Sequence, residues 1–237
     1  MRAGVEESLC WQDCRGKGIL RLARRGELAQ DDKRDNFSCV RVEPVTLEGN
    51  HVRLEPLSLA HLDALCAVGL DPELWRFTTV NIRNRDEMRA YIEEALKLQV
   101  AGTVMAFATR DNKSNKIVGS TRFADIQVAH RTLEIGWTWI ATAFQRTAVN
   151  TEAKYLMLRH AFEQMDARRV MLKTDETNLR SRAAIARIGA KQEGILRNHM
   201  LIWDGRNRNS VVFSIIDSEW PEAKLHLEAK LAQRISV

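Results

Sequence analysis

The chain has 237 residues, 45% hydrophobic and 28% charged, with a formal net charge of +5, enough apolar material for a substantial core. Charges of both signs are interspersed, so the basic balance fits a solvated surface and disfavours nucleic acid as a partner. The four cysteines, Cys10, Cys14, Cys39 and Cys66, lack the paired close spacing of zinc ligands; no metal site is expected, and the thiols read as reduced rather than as a disulfide framework.

In chain order, residues 1–43 alternate basic and acidic clusters (RGKGILRLARRGELAQDDKRDN) and are expected to be a poorly ordered extension with room for one weak helix. Residues 44–237 read as one domain. VTLEGNHVRLEPL gives two short extended pieces around Gly49-Asn50, and Ser58 N-caps an apolar helix through Leu59, Leu62, Leu65 and Val68. Asn84 or Arg85 opens RDEMRAYIEEALKLQ, whose Met88, Tyr91, Ile92, Ala95 and Leu96 share a face. VMAFATR and KIVGSTRFADI form a hairpin across DNKSN, and LEIGWTWI is a further strand. Strict alternation there puts Leu133, Ile135, Trp137 and Trp139 on one face, most simply the core, and Glu134, Gly136, Thr138 and Ile140 on the other. A helix with Ala153, Leu156, Met157, Ala161, Phe162 and Met165 at helical spacing follows. RRVMLKT is a strand, Asn178 to Ile188 a helix closed by Gly189, and two strands flank Asp204-Gly205. The order β-α-α-β-β-β-α-β-α-β-β describes a mixed α/β domain. SEWPEAKLHLEAKLAQR is helical and, with the last two strands, a place for homodimer contacts. No apolar run approaches the roughly 18–20 residues that span a bilayer, no membrane role is expected, and Glu6, Glu7 and Asp13 argue against a transit peptide; a cytoplasmic location follows.

The chemistry concentrates in AFQRTAVNTEAKYLMLRHAF, where a strand leads through a loop into a helix without a single glycine. A helix N-terminus presents unpaired N–H donors and a partial positive charge, which suits a pyrophosphate, and Gln145, Arg146, Thr147 and Asn150 add donors. A polar capped turn would look the same. Neither G-x-x-x-x-G-K-[ST] nor G-x-G-x-x-G occurs.

With LEIGWTWI ahead of QRTAVNTEAKYLML, and TNLRSRAAIARIGAKQEG beyond, residues 45–217 resemble the GNAT superfamily of acetyl-CoA-dependent N-acetyltransferases, in the branch of ribosomal-protein-alanine acetyltransferases of the RimJ and RimL type. The resemblance implies a GNAT fold: a central mixed, mostly antiparallel sheet of about seven strands with helices on both faces. It also implies that acetyl-CoA is the acetyl-donor co-substrate. Main-chain amides from Arg146 through Thr147, Ala148, Val149 and Asn150 to Thr151 would hold its pyrophosphate, behind Gln145 at the signature's first position. Ile140 would pair with the pantetheine at the splayed strand end, Asn178 would contact the pantetheine, and Ser181 would assist protonation of the departing sulfur. Ala148 and Asn150 stand where the family prefers glycine, then glycine or alanine. Alanine in a first helical turn has ordinary φ, so Ala148 is expected in right-handed helical geometry.

Direct acyl transfer needs a neutral amine and a proton for the thiolate. An α-amine of pKa about 8 is neutral to about one part in ten at pH 7, whereas a lysine near 10.4 leans far harder on a base. Glu134 is the first candidate base, with an exposed or salt-bridged glutamate as the alternative; His130 is the reserve. Asn178 or Thr177 could equally cap a helix and leave Ser181 an ordinary first-turn residue. Trp75 and Phe77 are candidates for lining the acceptor pocket, and the remaining histidines, His160 among them, read as surface. Two function classes stay open: an N-acetyltransferase acting on a primary amine, of a protein N-terminus or a small molecule, in a ternary complex, and an acyl-CoA-binding sensor or interaction module with little catalysis.

Overall fold

The computed structural model describes residues 10–13, 18–21 and 43–235. Strands β1 (Cys10–Asp13) and β2 (Gly18–Arg21) pair antiparallel as a unit of their own; the rest of the expected N-terminal extension, up to residue 42, lies outside the described residues.

The second unit follows the expected element order: β3 (Leu47–Glu48), β4 (Val52–Pro56), α1 (Leu62–Gly69), α2 (Arg85–Val100), β5 (Met105–Asp111), β6 (Lys116–Gln127), β7 (Thr132–Ile140), α3 (Ala148–Glu163), β8 (Arg169–Asp175), α4 (Leu179–Ala186), β9 (Lys191–Leu201), β10 (Asn207–Ile216) and α5 (Trp220–Ile235). The main sheet is eight-stranded in the order β3-β4-β5-β6-β7-β8-β10-β9, against an expected seven or so, because β3 and β4 count separately. Local chemistry sets the helix starts. Asn84 accepts a 2.9 Å bond from Glu87 N as the N-cap of α2, and Met88, Tyr91, Ile92 and Ala95 form its buried face.

The sheet separates two apolar layers. Trp75, Ala106, Ala108 and Trp139 pack with α1 and α2; Phe107, Phe123, Leu133, Ile135 and Ile140 pack with Leu156, Met157 and Ala161 of α3 and Leu227 of α5. Trp139 and Ile135 therefore lie in different layers, which strict alternation forbids. The reason is a β-bulge: Ser120 faces Trp139 and Arg122 faces Gly136, so Thr121 is opposed by both Trp137 and Thr138. Trp137 takes φ +50° and is 44% exposed, correcting its expected place in the core. The buried Arg122 guanidinium holds the bulge, 4.3 Å from the Tyr91 ring and 5.8 Å from that of Trp137, while its Nη2 donates to Tyr91 O at 3.2 Å.

The β7–β8 pair is the parallel one, and its register runs only from Thr132–Arg169 to Glu134–Met171. Beyond that point β7 keeps β6 as neighbour and β8 keeps β10, and the two strands part. Helix α3, which opens just after β7 ends, is anchored from the side. The Glu152 carboxylate accepts N–H bonds from Asn50 (3.0 Å), His51 (2.6 Å) and Val52 (2.7 Å) in the β3–β4 turn. A Cβ at Gly49 would come within 2.5 Å of that carboxylate, so the turn needs glycine for close approach. Replacing Glu152 by Ala strands buried amides and is expected to lower the unfolding free energy by about 2–4 kcal/mol; urea unfolding measures it, and a loss below about 0.5 kcal/mol would show that the turn does not depend on this carboxylate.

Candidate active site

The end of β7, the following loop and the start of α3 border the cleft, the opening left where β7 and β8 cease to pair. Gln145 Nε2 donates to Ile140 O at 2.8 Å, so the Gln145 amide is folded back onto the strand it follows. Arg146 takes φ +65°. Thr147 is the N-cap of α3, accepting from Val149 N at 3.3 Å and donating to Phe144 O at 2.7 Å. Ala148 is the first helical residue and lies outside the positive-φ set, as expected. The left-handed position that glycine would favour is Arg146, upstream of both signature positions, so neither Ala148 nor Asn150 needs glycine's backbone freedom. Val149 and Thr151 are buried and Asn150 is half-buried, so any role of Val149 and Thr151 at the cradle is confined to their main chain.

Glu134 sits where β7 and β8 last pair, about 20 Å from Ile140 along the strand at roughly 3.3 Å per residue. It is only 6% exposed, with Lys173 Nζ 2.7 Å from Oε2. Burial pushes its carboxyl above the usual carboxylate range, a shift that the Lys173 hydrogen bond and charge partly offset. His199 Nδ1 is 2.9 Å from Ser210 Oγ; burial, then the charges of Lys173 and Arg208, hold its pKa below the ordinary histidine value. Arg208, its pKa lowered by burial, donates from Nη1 to Phe77 O at 3.3 Å, and its Nε is buried without a partner. Trp203 Nε1 donates to Trp75 O at 3.1 Å, so the β9–β10 hairpin is tied to the segment between α1 and α2.

Lys173, His199 and Arg208 were missed by the sequence reading. The alternation of RRVMLKT offered a signal for the first, since Val170 and Leu172 face the core and Lys173 must then face away. Asn178 and Ser181 do come together, as cap and first turn: Asn178 Oδ1 accepts from Ser181 N at 3.0 Å. Trp75 is 1% exposed, donates to Gly69 O at 2.8 Å and packs against Tyr91 and Trp139; its ring is core and does not line a pocket. His130 lies on an exposed turn before β7, at the far end of that strand from the cradle. His160, expected at the surface, is half-buried and stacks on Phe123 with ring centroids 6.1 Å apart.

One further ionisable group borders the parted strands. Lys154, 6% exposed, projects from α3 to Thr138 Oγ1 at 2.5 Å and Thr121 Oγ1 at 3.3 Å. Burial lowers its pKa from 10.5 to about 7. Ordinary composition hides it, because a lysine on a helix usually marks the solvent face.

Comparisons with known proteins bear on the family and the fold. A family model described as an acetyltransferase (GNAT) domain matches residues 51–191. Among curated proteins, the chain is 30% identical over 108 residues to the "Putative ribosomal N-acetyltransferase YdaF" of Bacillus subtilis (strain 168), an alignment that takes in 46% of this chain and 58% of that relative, little more than half its length. Among solved structures, a GCN5-related N-acetyltransferase from Brucella melitensis is 32% identical, with a TM-score of 0.76 over 83% of this chain and 90% of the other. Mycobacterium smegmatis RimJ, solved in complex with CoA-disulfide, shares the fold at 21% identity and a TM-score of 0.70, over 80% of this chain and 96% of its own.

The Lys154 environment sets a pH dependence of stability. The folded-state pKa lies below the unfolded one, so between about pH 7 and 10.5 the unfolded chain binds more protons and stability rises with pH. Below that window the full penalty applies, on the order of several kcal/mol. Lys154→Met should therefore be more stable than the parent at pH 6 in urea unfolding, by a margin that shrinks toward pH 10; a margin constant across that range would contradict it.

Proposed function

The chain belongs to the acetyltransferase (GNAT) family of acetyl-CoA-dependent N-acetyltransferases, and we propose that it acetylates the α-amine of a protein N-terminus, in the cytoplasm, by direct attack in a ternary complex. The observation that carries this reading is the parting of β7 and β8 after Glu134 and Met171, with the N-terminus of α3 at one end of the cleft and a buried carboxylate at the other. Among relatives, the name of YdaF points to ribosomal protein as acceptor, and RimJ was solved with a CoA derivative.

The residues present fit acetyl-CoA, which supplies an acetyl group activated as a thioester. Main-chain amides between Arg146 and Thr151 suit its pyrophosphate, with Ala148 small enough to admit it. Between Ile135 and Ile140 the β7 edge no longer meets β8 and offers main-chain groups to the pantetheine amides. At Ile140 the carbonyl is already engaged by Gln145, which shifts that contact to its neighbours. Asn178 uses Oδ1 as a cap and has its side-chain NH2 to donate.

Glu134 acts as the base, directly or through a water. Burial gives it the basicity to take the amine's proton near neutrality, and Lys173 stabilises its ionised form. The amine nitrogen bonds to the acetyl carbon, the C–S bond breaks with its electron pair going to sulfur, and Ser181 relays a proton there. An α-amine, about one part in ten neutral at pH 7, suits such a modest base better than lysine does. The helical geometry of Ala148 supports catalysis over a purely sensory role, which a left-handed or obstructed cradle would have favoured.

The test is acetyl-CoA turnover, read by thiol release, across peptides with free N-termini, polyamines and aminoglycoside-like amines; turnover restricted to the small amines would reject the protein acceptor. Absence of CoA binding by calorimetry at millimolar concentration would remove the acetyltransferase reading altogether. Glu134→Gln should lower kcat/KM by about 10²–10⁴ and remove from the acid limb of the pH-rate profile the component set by the raised Glu134 pKa, leaving the component set by protonation of the amine itself. A variant with an undiminished rate at every pH would rule Glu134 out as base.

A further inference from the structure

Among the described residues, the fully buried charges near the parted strands other than Lys154 face an opposite charge, an aromatic ring or main-chain N–H groups. Glu134 pairs with Lys173, Asp175 with Arg206 at 2.7 Å, Arg122 stacks on Tyr91, and Glu152 collects three main-chain N–H groups. Lys154 faces two threonine hydroxyls. Charged groups on the elements around it are engaged elsewhere. On α3 itself, Glu152 turns to the β3–β4 turn, Arg159 lies over the Tyr155 ring and His160 stacks on Phe123. On β6, Arg122 belongs to the opposite face; on β7, Glu134 is held by Lys173; on α5, Glu228 accepts from the Tyr155 hydroxyl at 2.7 Å and Lys224 bonds Glu163 at 2.9 Å.

The place of this amine is informative. Thr138, which it contacts, belongs to the bulge on the stretch of β7 that has left β8, and is exposed. Lys154 also lies about 9 Å along the α3 axis from Ala148, at 1.5 Å per residue. An amine buried without a counter-charge, one hydroxyl from an open cleft and close to a helix N-terminus suited to phosphate, is poised for an anion that arrives with the ligand.

We propose that Lys154 is a positioning residue for the acyl donor: its amine takes up a proton when the polyanionic CoA moiety is seated, and the resulting ammonium, acting through Thr138, fixes the donor along the β7 edge. The inference rests on the acetyl-CoA reading above. A doubly charged group on the order of 10 Å away in a partly screened interior raises an amine's pKa by roughly one to three units. Starting from about 7, such a shift makes the amine mostly neutral in the free protein at pH 8 and from half to almost fully charged in the complex. The proton comes from solvent and no covalent step is involved.

The experiment is calorimetry of CoA binding to the full chain in buffers of different ionisation enthalpy, at pH 6 and pH 8, for the parent, Lys154→Met and Lys154→Arg. CoA's own phosphate titration is common to all three and cancels in the differences. The parent should take up about 0.4–0.9 proton more per CoA than Lys154→Met at pH 8, and less than about 0.2 more at pH 6. Lys154→Arg, permanently charged, should show no uptake of its own and should restore the CoA affinity lost in Lys154→Met. Equal proton uptake by parent and Lys154→Met at pH 8 would overturn the proposal. Should neither variant fold, a carbon-13 lysine titration of the parent decides: a Lys154 resonance whose pKa rises by at least one unit with CoA supports it, and one that CoA leaves unmoved overturns it. If CoA does not bind the parent at all, the acetyltransferase reading fails first; if CoA binds without the extra proton, this inference alone fails.

Discussion

The separation of β7 from β8 after three pairs is the constraint from which the rest of the site follows. Two parallel strands that stop pairing inside a sheet leave main-chain groups without their ladder partners, and such groups demand water or a ligand. Here both strands are prevented from re-joining: β7 is bent by the bulge at Trp137 and remains paired with β6 to Ile140, while β8 stays with β10 through Asp175. The cleft is therefore a standing property of the sheet, with its carboxylate at the vertex and its helix N-terminus at the open end.

Helix α3 shows how one element carries two opposite electrostatic solutions. Glu152 and Lys154 are both buried, yet they lie on different sides of the helix. Three main-chain donors satisfy Glu152, which makes its burial a structural anchor. Two neutral hydroxyls only partly solvate Lys154, which leaves its charge state responsive to whatever enters the cleft. The same helix is thus fixed to β4 on one flank and electrostatically unfinished on the other.

What could be read from the residues was mostly local. The Asn84 cap, the buried face of α2 and the right-handed Ala148 in a first helical turn all depend on neighbours within a few positions and appear where expected, and the Asn178 cap matches the alternative offered for that residue. The bulge did not announce itself, because φ +50° at a tryptophan has no composition signal; missing it misassigned Trp137 and placed Trp139 in the wrong layer. Glu134 was singled out as a candidate, but its partner Lys173 comes from a strand that pairs with β7 over only three residues, a register no single-chain pattern encodes. Lys154 escaped for a related reason: helical spacing identified the apolar face of α3 but could not show that Thr151, Glu152 and Lys154 are buried alongside it.

The ties between the β9–β10 hairpin and the segment after α1 run from side chains on the hairpin to carbonyl oxygens on the other side, Trp203 to Trp75 O and Arg208 to Phe77 O. A carbonyl is the same in every residue. The segment from Arg76 to Val80 can accordingly exchange its side chains without loosening the strap, while Gln145 to Thr151 and the parted strands stay untouched. Variation along that short segment therefore leaves the hairpin's attachment in place, because what the hairpin grips is main chain.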